Sequence, residues 1–307
     1  MRTEHAIKKK KTNIYMYLMM LPGLIYLLIN NYIPMAGIFI AFKSINYAKG
    51  IFRSDWVGLR NFEFLFQTSD AFVITRNTLL YNITFIIISN VLGIMLAIFL
   101  NELVFRKLAS IYQTVLLLPS LVSMVIVSYL VYAFLSAENG YFNKTLLPLL
   151  GIGEISWYST PKFWPFILTL VNEWGNAGFS AIIYLASVVG IDKSYYESAM
   201  IDGASKWTQI RTITLPLIKP TVIILVLMSI GRIFYSDFGL FYQVPLNSGM
   251  LFSVTSTLDT YVYRGLMQQN NIAMSSAAGV YQSLVGFILV MLANFLVKKF
   301  DSENSLF

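Results

Sequence analysis

The sequence lacks cysteine entirely and is poor in charge. With no cysteine among 307 residues, it has no disulfide, thiolate metal site or cysteine nucleophile. Charged residues make up 12% of the chain, against about 25% in soluble domains. The single histidine, His5, lies in a charged N-terminal tail, so a serine protease built on "GFSA" (178–181) would have no nearby histidine base. The chain also contains neither H-E-x-x-H nor a plausible metal cluster.

The sequence is rich in long apolar runs. Residues of hydrophobic type make up 57% of the chain, and the mean hydropathy is +0.66. A bilayer-spanning helix needs about 20 apolar residues. Six stretches meet that length, at about 14–40, 77–101, 109–135, 164–190, 216–236 and 274–297. The sequence therefore predicts an all-α polytopic membrane protein with six transmembrane helices. We expect residues 1–307 to form one membrane domain, with a tail at 1–13.

Basic residues indicate the orientation of these helices. Four lysines at 8–11 precede the first run, which is too long for a signal peptide and reads as an uncleaved anchor. With the N-terminus inside, 13 of the 22 basic residues fall on the cytoplasmic side and eight fall outside. We therefore expect both termini in the cytoplasm, together with the segment at about 191–215. The net charge of +7 then reflects topology rather than nucleic-acid binding.

The connections at 41–76, 136–163 and 237–273 are expected outside, and they are rich in aromatic residues. Aromatic side chains usually anchor at the membrane interface, but they could also receive an external partner. The aromatic residues concerned include Phe52, Trp56, Phe62, Phe64, Trp157 and Tyr158.

The cytoplasmic segment has the pattern of two short helices. Ser194 and Glu197 match a capping box before "YYESAMID". Gly203 suits a turn that requires positive φ. A second helix, "ASKWTQIRT", would follow, and Thr214 would cap the next span, with Pro216 in its first turn.

The second short helix is predicted to have one apolar face. That face would carry Ala204, Trp207, Ile210 and Ile213, whereas Lys206, Gln209 and Arg211 would stay in water. Such a face suits docking into a protein groove or lying on the membrane surface, and the residue pattern favours neither.

The string "ESAMIDGASKWTQIRTITLP" resembles the cytoplasmic signature loop of binding-protein-dependent ABC importer permeases. Six residues fall in register with that loop: Glu197, Ala199, Gly203, Ile213, Leu215 and Pro216. Ser198 replaces a usual alanine, and the run from Asp202 to Ala204 is typical of the sugar-transporting branch. The strings "YIPMAGIFIAFK", "WVGLRNFEFLF" and "RNTLLYN" in the N-terminal half resemble the polysaccharide and complex-oligosaccharide group.

The resemblance implies a type I ABC importer permease fold. It also implies a second homologous permease, two cytoplasmic ATPase subunits that bind ATP-Mg, and an extracytoplasmic sugar-binding lipoprotein that delivers an oligosaccharide. No cofactor is expected on this chain. The loop would dock into a cleft of the ATPase through Glu197, Ala199, Asp202, Gly203, Ala204, Trp207, Ile213, Leu215 and Pro216. The lack of cysteine and the 14 Lys against 8 Arg favour the plasma membrane of a Gram-positive bacterium.

Polar residues within two predicted spans are candidates for the sugar pathway. Polar groups in a membrane are costly and usually face a cavity or partner. The candidates are Asn172, Glu173, Trp174 and Asn176 in the fourth span and Arg232, Tyr235 and Asp237 at the outer end of the fifth. Alternatively, Glu173 and Arg232 pair, directly or through water, to hold helices together, while Gly175 and Gly178 allow close packing. The partner permease could also carry the main sugar contacts.

A second function class is an ion-coupled secondary carrier of a small polar solute, with Glu173 and Asp237 as ion sites. Such a carrier would work without an ATPase and would have no use for the patterned cytoplasmic segment.

Overall fold

Helices form at all six apolar runs. The computed structural model describes residues 14–63 and 69–300; the tail at 1–13, with His5 and the lysines at 8–11, and Phe64 lie outside the described residues. The longer helices are α1 (Ile14–Leu27), α2 (Ser69–Glu102), α3 (Arg106–Leu117), α4 (Met124–Leu135), α5 (Trp164–Val189), α6 (Lys193–Ile201), α7 (Lys206–Gln209), α8 (Leu215–Ile230), α9 (Leu258–Met267) and α10 (Ile272–Phe300). Helix α1 continues through a π turn, a short helix and a 3-10 stretch to Phe42.

Four helical stretches are long and apolar enough to cross a membrane by themselves: Tyr15–Phe42, Asp70–Glu102, Lys206–Ile230 and Ile272–Lys299. Two further pairs qualify only if each bent pair counts as one span, which gives up to six. This confirms the polytopic helical class. The side of the membrane on which each terminus lies stays a prediction.

The third predicted span is not one straight helix. The stretch Arg106–Leu121 meets Met124–Leu135 at a bend of 94°. Pro119 lies in a 3-10 turn, Val122 is extended, and Ser123 caps α4 by accepting a bond from the Ile126 amide. Proline lacks the N–H that a continuing helix needs, which accounts for the break.

The fifth predicted span also differs from expectation. Helix α7 runs through a π turn (Ile210–Thr214) into α8 without interruption, and α8 ends at Ile230. Residues 231–237 are irregular rather than helical. Arg232, Tyr235 and Asp237 therefore lie beyond the helix in which the sequence analysis placed them.

Helices α2 and α5 form the centre of the fold. Gly93 of α2 faces Ser180 and Tyr184 so closely that an added Cβ would lie 2.9 Å from the Ser180 Cβ. Gly178 of α5 lies against the carbonyl of Leu116 in α3 with no room for a side chain. The main core cluster then joins α2, α4 and α5 with the short helix Phe238–Gln243.

A small hairpin and several loops gather at one end of the helices, which we call the hairpin end (residues 43–62, 136–163 and 231–271). Strands β1 (Lys43–Ser44) and β2 (Asp55–Trp56) are antiparallel. The Tyr47 hydroxyl donates to the Asn270 carbonyl, which ties the hairpin to the loop before α10. Phe52 and Trp56 are exposed, whereas Trp157 and Tyr158 are half-buried and pack on the core.

The two glycines of α5 that were expected to pack closely should respond differently to alanine. Gly178→Ala must displace α3 and is expected to cost about 1–3 kcal/mol or more through overpacking. Gly175 has nothing within 4 Å of an added Cβ, so Gly175→Ala should be neutral or stabilise the helix by up to about 1 kcal/mol. Thermal unfolding of the two variants in the same detergent would test this, and equal midpoints would contradict the close α3–α5 contact.

Candidate functional site: the signature segment and the central cavity

The signature segment (residues 191–216) begins with a capped helix. Asp192 is the N-cap of α6, and its carboxylate accepts a bond of 2.9 Å from the Ser194 amide. The backbone and hydroxyl of Ser194 hold the pKa of Asp192 below its ordinary value. The predicted capping box on Ser194 and Glu197 is therefore wrong: the cap lies two residues earlier, and Glu197 stays exposed.

The turn between the two short helices requires glycine. Gly203 has φ of +75°, as the sequence predicts. The Ala204 amide donates to the Ala199 carbonyl, and the Gly203 amide donates to the Met200 carbonyl. These two bonds make a Schellman motif, in which glycine is favoured because a Cβ is strained at positive φ. Asp202 is exposed at the last position before the turn.

The second half of the segment is joined to the membrane helix. Ser205 caps α7 by accepting from the Thr208 amide at 3.2 Å. Gln209, expected in water, is buried, and its amide donates to the Ala204 carbonyl at 3.1 Å. Thr214 lies inside the continuous helix and does not cap it. The π turn immediately before Pro216 widens the helix where a proline ring would clash with the preceding turn.

An apolar patch of this segment faces away from the rest of the chain. Trp207 is 70% exposed and Ile201 is 87% exposed, and Tyr195 and Met200 are also exposed. We call these four residues the exposed patch. Of the predicted coupling residues, Leu215 and Pro216 are exposed as well, whereas Ala199, Ala204 and Ile213 are half-buried.

Two contacts hold the segment together and against the helices. The Tyr196 hydroxyl lies 2.9 Å from the Thr214 hydroxyl, which joins α6 to the base of α8. Lys206 forms an ion pair of 2.9 Å with Glu102 at the end of α2. The segment also borders a polar cavity of about 730 Å³ at this end of the molecule.

A central cavity of about 520 Å³ lies between α2, α5 and the end of α8. Five of the predicted pathway residues line it: Asn172, Asn176, Arg232, Tyr235 and Asp237. Its remaining wall includes Asn82, Phe85, Ser89, Asn90, Phe179, Ser180, Tyr184, Ser229 and Ser236. Amides, hydroxyls and aromatic rings are the groups that bind sugar hydroxyls and sugar faces.

Two predicted pathway residues lie outside the cavity wall. Glu173 is buried behind it and accepts from the Ser89 hydroxyl at 2.7 and 2.9 Å and from the Asn172 amide at 3.0 Å. It forms no direct ion pair with Arg232, so the direct form of that alternative is wrong. Trp174 is 45% exposed and absent from the cavity lining.

The irregular stretch 231–237 is held by two side-chain amides. The Asn82 Nδ2 donates to the carbonyls of Ile233 and Tyr235 at 2.9 and 3.1 Å. The Gln282 Nε2 of α10 donates to the Phe234 carbonyl. Because a broken helix leaves carbonyls without helical partners, these amides allow the chain to stay irregular beside the cavity.

Sequence reasoning missed the contribution of α2 to the cavity. Asn82 and Ser89 are seven residues apart, so they lie on one face of the helix, two turns from each other. Asn90 adjoins Ser89 and accepts a hydrogen bond from the Tyr184 hydroxyl of α5. This spacing of polar residues within an apolar run is a signal that could have identified the α2 wall.

Comparisons with known proteins agree with this architecture. The family described as "Binding-protein-dependent transport system inner membrane component" matches residues 89–302. Protein LplB of Bacillus subtilis (strain 168) is 35% identical over 300 residues, covering 97% of this chain and 92% of LplB. The polygalacturonan/rhamnogalacturonan transport system permease protein YteP of the same organism is 37% identical over 290 residues, covering 94% of this chain and 89% of YteP.

Solved structures agree as well. A chain of a bacterial ABC transporter involved in the import of the acidic polysaccharide alginate has a TM-score of 0.85 and 31% identity, over 94% of this chain and 96% of that chain. A second structure, of a bacterial alginate ABC transporter in complex with alginate pentasaccharide-bound periplasmic protein, has the same score and identity, over 97% of this chain and 98% of that chain.

Removing the Asn82 amide should loosen the irregular stretch. Asn82→Leu leaves two carbonyls unpaired and is expected to destabilise the protein by about 1–3 kcal/mol for each. The same substitution at Asn101, which is exposed at the end of α2, is a control that should change little. The native chain has no cysteine, so a cysteine placed at Ser236 can report exposure by its labelling rate. Unchanged labelling and stability in Asn82→Leu would contradict the role of this amide.

Proposed function

The chain belongs to the family of binding-protein-dependent transport system inner membrane components, and from that premise we propose that it is the sugar-conducting permease subunit of an ATP-driven oligosaccharide importer. The observation that carries this proposal is the pairing of a polar central cavity with a signature segment that is rigidly joined to the cavity's helices.

The exposed patch is the proposed docking surface for a cytoplasmic ATPase. A tryptophan that is 70% exposed beside an isoleucine that is 87% exposed is apolar surface that a protein groove would bury. Its place at the turn around Gly203 supports docking over lying flat on a membrane, because the two short helices present the patch at a corner. ATP-Mg would be bound by that partner, since this chain has no P-loop.

Docked in this way, the segment transmits motion to the cavity. Helix α7 is continuous with α8, and the Tyr196–Thr214 bond makes α6 move with them. The far end of α8 leads directly into residues 231–237, which line the cavity. A rigid-body displacement at the signature segment therefore shifts the cavity wall at the opposite end of the same helix.

Oligosaccharides are the proposed substrates. The cavity wall combines amides, hydroxyls and the rings of Phe179, Tyr184 and Tyr235, a set suited to sugars. Support comes also from the relatives, one named for polygalacturonan/rhamnogalacturonan transport and one solved with an alginate pentasaccharide-bound periplasmic protein.

The remaining partners complete the proposal. A second, homologous permease would share the pathway, an extracytoplasmic sugar-binding lipoprotein would deliver the substrate, and two ATPase subunits would provide the energy. The relatives from Bacillus subtilis support a Gram-positive plasma membrane. The family assignment decides against the ion-coupled carrier, and Asp237, one of its two ion sites, instead caps the helix Phe238–Gln243.

Shortening the exposed tryptophan should weaken ATPase docking without unfolding the permease. We expect Trp207→Ala to lower ATPase retention on the purified permease by about tenfold, equivalent to about 1.4 kcal/mol, and to lower sugar uptake with it. Trp56→Ala at the hairpin end removes a ring that is 67% exposed and should retain the ATPase. Co-purification with a tagged permease measures both variants, and full retention in Trp207→Ala would contradict this docking surface.

Substitutions at two nearby residues of α5 should show whether sugar passes along the cavity wall or along the face outside it. Asn176→Leu removes an amide from the cavity wall and is expected to reduce uptake about tenfold, the effect of one or two hydrogen bonds of about 1 kcal/mol each. Trp174→Ala lies outside that wall and should leave uptake unchanged. The measurement is uptake of radiolabelled sugar by the two variants at matched expression. A loss of uptake in Trp174→Ala but not in Asn176→Leu would place the pathway on the Trp174 face.

A further inference from the structure

The central cavity contains a cation that forms no ion pair with any described carboxylate. Arg232 is exposed to the cavity and forms no side-chain hydrogen bond or ion pair with any other described residue. Asp237 lines the same cavity, but its carboxylate accepts from the Leu240 amide instead. A guanidinium without an ion pair in a membrane protein is costly and usually serves a ligand or pathway.

The side-chain amides of the cavity wall already donate within the protein. The amide nitrogens of Asn82, Asn90, Asn172 and Asn176 all donate to carbonyl, amide or carboxylate oxygens of the protein itself. The side-chain oxygens of Asn82 and Asn176 accept no hydrogen bond from the described residues. Among the groups that the cavity offers a ligand are these two amide oxygens, which accept from hydroxyls, and the five cationic N–H donors of Arg232.

We propose that Arg232 binds the carboxylate of a uronate residue, so that the importer carries acidic oligosaccharides. A guanidinium binds a carboxylate through two parallel hydrogen bonds, whereas a neutral sugar has no group of matching charge and shape. The sugar hydroxyls donate to the free amide oxygens, and the exposed ring of Tyr235 provides a face beside Arg232. This inference rests on the proposed function, the passage of sugar through the central cavity.

The test compares an acid with its neutral ester on the permease–ATPase complex in lipid nanodiscs, here called the native importer, prepared without the sugar-binding lipoprotein because that protein would bind the probes by itself. The probes are trigalacturonate and trimannuronate, each beside its fully methyl-esterified form, and the measurement is equilibrium binding by calorimetry. The native importer should bind at least one acid about 10- to 100-fold more tightly than its ester, as expected for charge-assisted hydrogen bonds. Arg232→Gln should bind acid and ester alike, and Arg232→Lys should retain part of the preference. Arg60→Gln, an exposed arginine at the hairpin end, should match the native importer.

Two outcomes overturn the inference: no preference for either acid in the native importer, or an undiminished preference in Arg232→Gln. Unchanged ester binding in Arg232→Gln shows that this variant still folds and assembles. A cavity-filling variant, Asn176→Trp, tests the underlying function separately, because it should abolish binding of acid and ester together. If Asn176→Trp still binds both, sugar does not occupy the central cavity, and the proposed function fails along with the inference. If Asn176→Trp binds neither while Arg232→Gln keeps the native preference, only the role of Arg232 is lost.

Discussion

The need to satisfy backbone groups in an apolar surrounding is the constraint on which this structure depends. Residues 231–237 leave helical geometry in a chain whose neighbouring helices are apolar enough to cross a membrane. The carbonyls of Ile233, Phe234 and Tyr235 would be costly there without partners. The amides of Asn82 and Gln282 satisfy them from two different helices. These two side chains allow α8 to end beside the cavity.

The α7–α8 helix joins the two functional regions. One end of this helix carries Trp207 of the exposed patch, and the other end leads into the cavity wall. A continuous helix is stiff, so a shift at one end reaches the other. The π turn keeps it continuous across Pro216, where an ordinary α-helical turn would break. A second short helix that ended before a cap at Thr214, as the sequence pattern indicated, would have made a looser connection to α8.

Local backbone structure was predictable from the sequence where the conformation depends on a single residue. Gly203 was expected at positive φ and has it, because only glycine adopts that conformation without strain. Competing local signals were harder to separate. Ser194 and Asp192 are both good N-caps, and the aspartate is used. The burial of Gln209 depends on its bond to the Ala204 carbonyl across the helix start, which the spacing of apolar residues did not indicate.

The sequence by itself determined the helical membrane class, the six apolar regions and the turn at Gly203, since these depend on composition, hydropathy and local backbone preference. Only the tertiary structure decided that Glu173 binds Ser89 rather than Arg232, and that Trp174 lies away from the cavity. These outcomes depend on how α2, α5 and the end of α8 are rotated about one another. Such rotations are determined by close contacts such as that at Gly93, between residues far apart in the chain.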